Sequence, residues 1–160
     1  MQQPLAPAQR DAVLRVVAAN RSRPGALIEI LHAVQAELGF IPAAAVPVLA
    51  EELNLSRAEV HGVVTFYHYF RHTPPGRQIV RVCQAESCQA MGAEALTEHV
   101  KQRLGVDFHE TTADGQFTLE PVYCLGNCAC SPAVMKDEEI CGRVTPHRFD
   151  ELLAQWRRKS

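Results

Sequence analysis

Two cysteine pairs constrain this chain more than any other feature. The first is Cys83-Gln-Ala-Glu-Ser-Cys88. The second is Cys124-Leu-Gly-Asn-Cys128, followed at once by Ala129-Cys130-Ser131-Pro132. Each pair begins where an apolar, β-branched run stops: Ile79-Val80-Arg81-Val82 before Cys83, and Pro121-Val122-Tyr123 before Cys124. Such runs read as strands, so the spacing predicts two loops, each leaving a strand and each carrying two thiols. Two such loops can bring four thiolates to one point. Four thiolates with little else between them suit a metal centre better than acid–base chemistry.

Composition narrows the setting. The chain has 160 residues, 47% of them hydrophobic, enough for a real core in one domain or one domain with an extension. Its formal net charge of −2 comes from acidic and basic residues mixed along the sequence, with no basic stripe to hold nucleic acid. No apolar run is long enough for a membrane span. The Gln/Pro-rich start, 1–7, lacks the charged and apolar parts of a signal peptide and is expected to be loose. These features predict a cytoplasmic protein, where clustered cysteines more often bind metal or do redox chemistry than form disulfides.

The first half reads as helices. Ala12, Val13, Val16 and Val17 recur at helical spacing over 8–19, and Leu27, Ile30, Leu31, Val34 and Leu38 do so over 26–38, with Gly39 at the left-handed position past the end. A third helix carries Val46, Leu49, Ala50 and Leu53, with Pro47 placed near its start, where no amide donor is needed. Ser56-Arg-Ala-Glu59 reads as a capping box, opening a fourth helix to about residue 69 with Val60, Val63, Val64, Tyr67 and Phe70 as its stripe. Phe66, Tyr67, Tyr69 and Phe70 cannot all face one small core at 100° per residue. Part of this aromatic stretch either packs a helical bundle or meets a partner. Residues 71–76, with Pro74-Pro75-Gly76, read as a linker.

Beyond the linker the pattern alternates: strand 78–82, helix 89–104 with Met91, Ala95, Leu96, Val100 and Leu104 buried, then strands 117–123, 133–136 and 140–144. A last helix follows, capped by Thr145-Pro146 and carrying Phe149, Leu152, Leu153 and Trp156. The expected fold class is α+β: an N-terminal helical bundle over 1–73, then an α/β domain with a mixed sheet over 74–160.

The cysteines allow several centres. A 2Fe–2S cluster takes four thiolates, two per iron, and Cys83, Cys88, Cys124 and Cys128 supply them as two close chelating pairs. Gly126 removes a side chain where backbone must pass close to sulfide, and amides such as those of Gln84, Gly126 and Ala129 are candidates to tune the centre. Structural zinc also uses four cysteines. A dithiol enzyme needs C-x-x-C, which is absent, and a Rieske centre needs two histidines on one iron, but neither loop contains one. The seven histidines are scattered. Cys130 is either a packing residue behind the loop or a substitute ligand, with Cys128 favoured by its tighter spacing; Cys141 reads as a buried strand residue.

At these residues the chain resembles a known family. Cys83-x4-Cys88, Cys124-Leu-Gly-x-Cys128, Ser131-Pro132-Ala133-Val134-Met135 and Gly142-x-Val-Thr-Pro146 resemble the thioredoxin-like 2Fe–2S ferredoxins. So do Leu31-His-x-Val-Gln-x-Glu-x-Gly39, Ala50-Glu-Glu-Leu53 and Val60-x-Gly-Val-x-Thr-Phe-Tyr67. The family includes the 24-kDa-type subunit of respiratory NADH dehydrogenase, the diaphorase subunit of bidirectional hydrogenases and the gamma subunit of NAD-dependent formate dehydrogenases. The loop 127–132 looks most like the last. The resemblance implies a thioredoxin-like C-terminal domain and one 2Fe–2S cluster. It implies an electron-transfer role without a catalytic centre of its own, beside an FMN- and NAD-binding subunit and other Fe–S and catalytic subunits. A zinc-bearing interaction module is the reading from another class.

Overall fold

Four helices form the first unit of the chain in a computed structural model that describes residues 4–158: α1 Pro7–Asn20, α2 Leu27–Leu38, α3 Ala45–Leu53 and α4 Arg57–Phe66. The first residues of the Gln/Pro-rich start lie outside the described part. Local chemistry accounts for the helix boundaries. Pro7 opens α1 at a position that needs no donor. Gly39, at φ 83°, ends α2 in the left-handed conformation. Pro47 sits in the first turn of α3, where its missing N–H breaks no helical bond. At α4 the Glu59 N–H donates to Ser56 Oγ at 3.1 Å and the Ser56 N–H donates to Glu59 Oε2 at 2.8 Å, the reciprocal pair the sequence predicts.

One core holds these helices, with Val13, Val17, Ile30, Leu31, Leu49 and Val60 fully or almost fully buried in it. The fourth helix is shorter than the sequence suggests. It stops at Phe66, and Tyr67 is extended at φ −88°, ψ 105°. The cause is buried Gln35, whose Nε2 donates to the Tyr69 carbonyl at 3.0 Å and whose Oε1 accepts the Arg71 N–H at 2.7 Å. This grip turns the chain so that Phe70 enters the core, a burial worth about 1.5–3 kcal/mol. Tyr67, expected on the buried stripe, is left exposed with Phe66 and Tyr69.

The chain divides between Pro74 and Pro75. The second unit contains β1 Gln78–Cys83, α5 Glu86–Ala90, α6 Ala93–Leu104, β2 Phe117–Val122, β3 Val134–Lys136, β4 Glu139–Cys141 and α7 Pro146–Arg158. The sheet order is β2-β1-β3-β4. β1 and β2 are parallel, with Cys83 opposite Val122, while β1–β3 and β3–β4 are antiparallel. A parallel pair needs a long crossover, here α5 and α6. Val80, Val82, Phe117, Leu119 and Val134 from the sheet share one core with residues of α6 and α7. Thr145 Oγ1 accepts the Arg148 N–H at 3.2 Å, which caps α7. The whole is the α+β arrangement expected, helices first and then a mixed sheet.

Two expectations need correction here. The single helix over 89–104 is broken at Met91–Gly92, because Gly92 is left-handed at φ 91°. The helical phase restarts at Ala93, so Met91 and Ala95 are exposed, while Ala93 and Thr97 join Leu96, Val100 and Leu104 in the interior. The strand expected over 140–144 is only β4, since Arg143 lies at φ 51° and leaves the extended region.

Candidate iron–sulfur site

Register brings the two cysteine loops together. β1 and β2 run parallel side by side, so their carboxyl ends open at the same edge of the sheet, where ligands of open parallel sheets bind. Cys83 ends β1, and Cys124 lies two residues past Val122 at the end of β2. Backbone bonds fix the junction: Gln84 N–H donates to Val122 O at 2.7 Å, and Cys83 N–H donates to Ala133 O at 3.0 Å. The Gln84 amide is thus committed to the β2 end and does not serve a sulfur, contrary to the sequence expectation.

Each pair comes together within itself. Cys83 and Cys88 are both buried, and each lies close enough to shift the other's thiol. Cys88 gains its place from the short helix α5, which starts three residues after β1 ends. Cys124 and Cys128 are exposed, with their sulfurs 4.0 Å apart. Cys128 opens a single 3₁₀ turn, Cys128–Cys130. Cys124 is held at φ +125°, a backbone conformation that side chains rarely adopt and that costs on the order of 1–3 kcal/mol. Gly126 lies at φ +74°, and its N–H donates to Cys124 Sγ at 3.3 Å. The need for glycine there is conformational, since nothing lies near where a Cβ would point.

The surroundings set the thiols apart. Burial pushes the Cys83 thiol up, opposed by the Ala85 amide, with the neighbouring Cys88 adding to the rise and the Leu125 amide also opposing. Burial works the same way on Cys88, but the Ser131 hydroxyl, Cys83 and the Ala133 amide outweigh it and leave this thiol below its ordinary range. Cys124, hydrogen-bonded beside Cys128, raises the Cys128 thiol. Among the described residues no three His, Cys, Asp or Glu side chains converge on one point to hold a single ion. The thiols form two pairs, a donor set that fits two irons with two thiolates each. Amides aimed at the sulfurs, as from Gly126 and Leu125, fit a centre that carries negative charge.

The remaining cysteines occupy different surroundings. Cys130 is half-buried, its carbonyl accepts the Arg143 N–H at 2.6 Å, and its Cβ lies against Gly142. Cys141 sits on β4 opposite Val134, half-buried against the sheet core rather than enclosed. The histidines serve elsewhere: His32 packs its ring on Tyr69 and Phe70, and His99 Nε2 lies 3.0 Å from Asp150 Oδ1. Sequence reasoning missed Ser87, Ser131 and Gly142. The signals were their places in the sequence: Ser87 beside Cys88, and Ser131 and Gly142 at the heads of two of the motifs that carry the family resemblance.

Comparison with known proteins identifies the family. A family model described as thioredoxin-like [2Fe-2S] ferredoxin matches residues 13–157. The chain is 42% identical over 128 residues to an NADH-quinone oxidoreductase subunit of Pseudomonas aeruginosa, spanning 80% of this chain and 77% of that one. It is 31% identical over 144 residues to the HndA subunit of an NADP-reducing hydrogenase of Solidesulfovibrio fructosivorans, spanning 90% and 84%. It is 33% identical over 153 residues to the corresponding NADH-quinone oxidoreductase subunit of Escherichia coli K12, spanning 96% and 92%. In fold it is similar to a crystal structure of NAD+-reducing [NiFe]-hydrogenase in the H2-reduced state, with a TM-score of 0.67 at 24% identity. That match spans 84% of this chain and 22% of the hydrogenase chain.

Proposed function

The chain belongs to the thioredoxin-like [2Fe-2S] ferredoxin family, and from that premise we propose that it is the electron-transfer subunit of a multi-subunit NAD-linked oxidoreductase. The cofactor of the family is one 2Fe–2S cluster. Cys83, Cys88, Cys124 and Cys128 are the residues that hold it. The observation that carries this reading is that the two thiol pairs sit on loops leaving the adjacent, parallel ends of β1 and β2. When bound, the cluster supplies one-electron transfer. The protein's own residues do the rest: buried Cys83 and Cys88 keep water from one side, and exposed Cys124 and Cys128 leave the other side open to a partner.

The partner is the subunit carrying FMN and the NAD site, with further Fe–S and catalytic subunits in the same assembly. Exposed Phe66, Tyr67 and Tyr69 of the helical unit are a second contact for it. No helix among the described residues is long and apolar enough to cross a membrane, and a cytoplasmic place for the complex is part of this proposal. Three assemblies compete. The loop 127–132 favours the gamma subunit of an NAD-dependent formate dehydrogenase. The 42% identity to the Pseudomonas aeruginosa protein favours an NADH-quinone oxidoreductase, and the hydrogenase relative makes a third member of the same class.

The isolated chain is expected to oxidise neither formate nor NADH, and to be reduced by NADH once the flavin subunit is added. Co-purification from the native cell identifies the assembly by the catalytic subunit that accompanies the chain. Unaided oxidation of formate or NADH would end the electron-relay reading.

A further inference from the structure

Two serines join the cysteine loops. Ser131 follows the second pair and is 7% exposed; Ser87 immediately precedes Cys88. Their hydroxyl oxygens are 2.9 Å apart. Both reach the same acceptor, the Cys128 carbonyl, from Ser131 Oγ at 2.9 Å and from Ser87 Oγ at 3.2 Å. Ser131 Oγ also accepts from the Cys88 thiol at 3.4 Å.

Proton counting gives these contacts a direction. A coordinated cysteine is a thiolate with no proton to donate. Once Cys88 is coordinated, its contact with Ser131 survives only if the serine hydroxyl donates to the sulfur. Ser131 has one proton, and at present the Cys128 carbonyl takes it. Ser87 lies within reach of that same carbonyl. Two hydroxyl protons then serve two acceptors, Ser87 to the Cys128 carbonyl and Ser131 to the Cys88 sulfur, and no acceptor is left without a proton. Ser131 is buried, so water does not readily replace it.

We propose that Ser131 is a positioning and tuning residue that donates a hydrogen bond to the coordinated Cys88 sulfur, with Ser87 freeing its proton for that purpose. This rests on the reading that Cys88 is a cluster ligand. A donor at a ligand sulfur stabilises added negative charge. It therefore favours the reduced centre and raises the reduction potential.

The test uses the full chain with its cluster assembled, reading the midpoint potential, the cluster content and the paramagnetic spectrum of the reduced form. Ser131→Ala is expected to lower the potential and shift the spectrum at wild-type cluster content. Ser87→Ala is expected to shift the potential the same way by less. If Ser131→Ala does not load, Ser131→Thr and Ser131→Val, equal in size, make the comparison: the threonine chain should sit at the higher potential. A wild-type potential in Ser131→Ala, or equal potentials in the threonine and valine chains, overturns the proposal. Failure of the wild-type chain to assemble any cluster would instead overturn the ligand reading beneath it.

Discussion

Gly142 leaves no room for a side chain. A Cβ there would lie 2.7 Å from Cys130 Cβ, 2.7 Å from Asn127 Nδ2 and 2.8 Å from the Cys130 carbonyl oxygen. Two of these atoms belong to the root of the 3₁₀ turn that carries Cys128, so the turn itself must shift. Gly142→Ala is expected to destabilise the second unit by about 1–3 kcal/mol, as overpacking does, and to speed cluster loss to a chelator. Urea unfolding and the chelation rate measure both, and a wild-type rate would show that the close approach does not hold the loop. The ligand candidates themselves were legible from sequence because cysteine is rare and its spacing is informative. Gly142 and Ser131 stood out only as motif residues, and their roles were not legible, because those lie in contacts between segments that only β1–β2 register and the β3–β4 hairpin bring together.

Elements were legible where local chemistry decides them. The capping box at Ser56–Glu59 is one such case, and it yields a prediction. The Ser56 backbone N–H, with its side chain assisting, holds the Glu59 carboxyl below the usual carboxylate range. A carboxyl lowered in the folded state contributes stability above its unfolded value, and that contribution is lost as pH falls through the folded value. Glu59→Gln should therefore lie below wild type in stability near neutral pH and converge with it in acid. Thermal melts at the two pH values check this, and a pH-independent gap would refute it. Ser56→Ala is expected to cost about 1 kcal/mol in urea unfolding. Elements were misread where a distant residue or a backbone angle decides them. Helix α4 ends early because Gln35, on α2, takes hold of Tyr69 and Arg71. The break before α6 comes from Gly92, which a helical pattern tolerates in sequence but whose φ of 91° a helix does not.

At the scale of the molecule, the two units make separate claims. The helical unit has its own core and contributes none of the proposed ligands. In the second unit one ligand loop joins β1 to α5 and the other joins β2 to β3, so metal release should loosen that unit first. Chelating the cluster should lower the melting temperature of the second unit and leave that of the helical unit little changed. A single transition indifferent to cluster loss would contradict this. The central claim is narrower: four named cysteines hold one 2Fe–2S cluster and pass single electrons. The most direct measurement is electron paramagnetic resonance of the reduced full chain, with each cysteine replaced in turn by serine. Cys83→Ser, Cys88→Ser, Cys124→Ser and Cys128→Ser should each lose or alter the one-electron signal, while Cys130→Ser and Cys141→Ser keep it close to wild type. An unchanged signal in Cys124→Ser, or its loss in Cys130→Ser alone, would contradict the account.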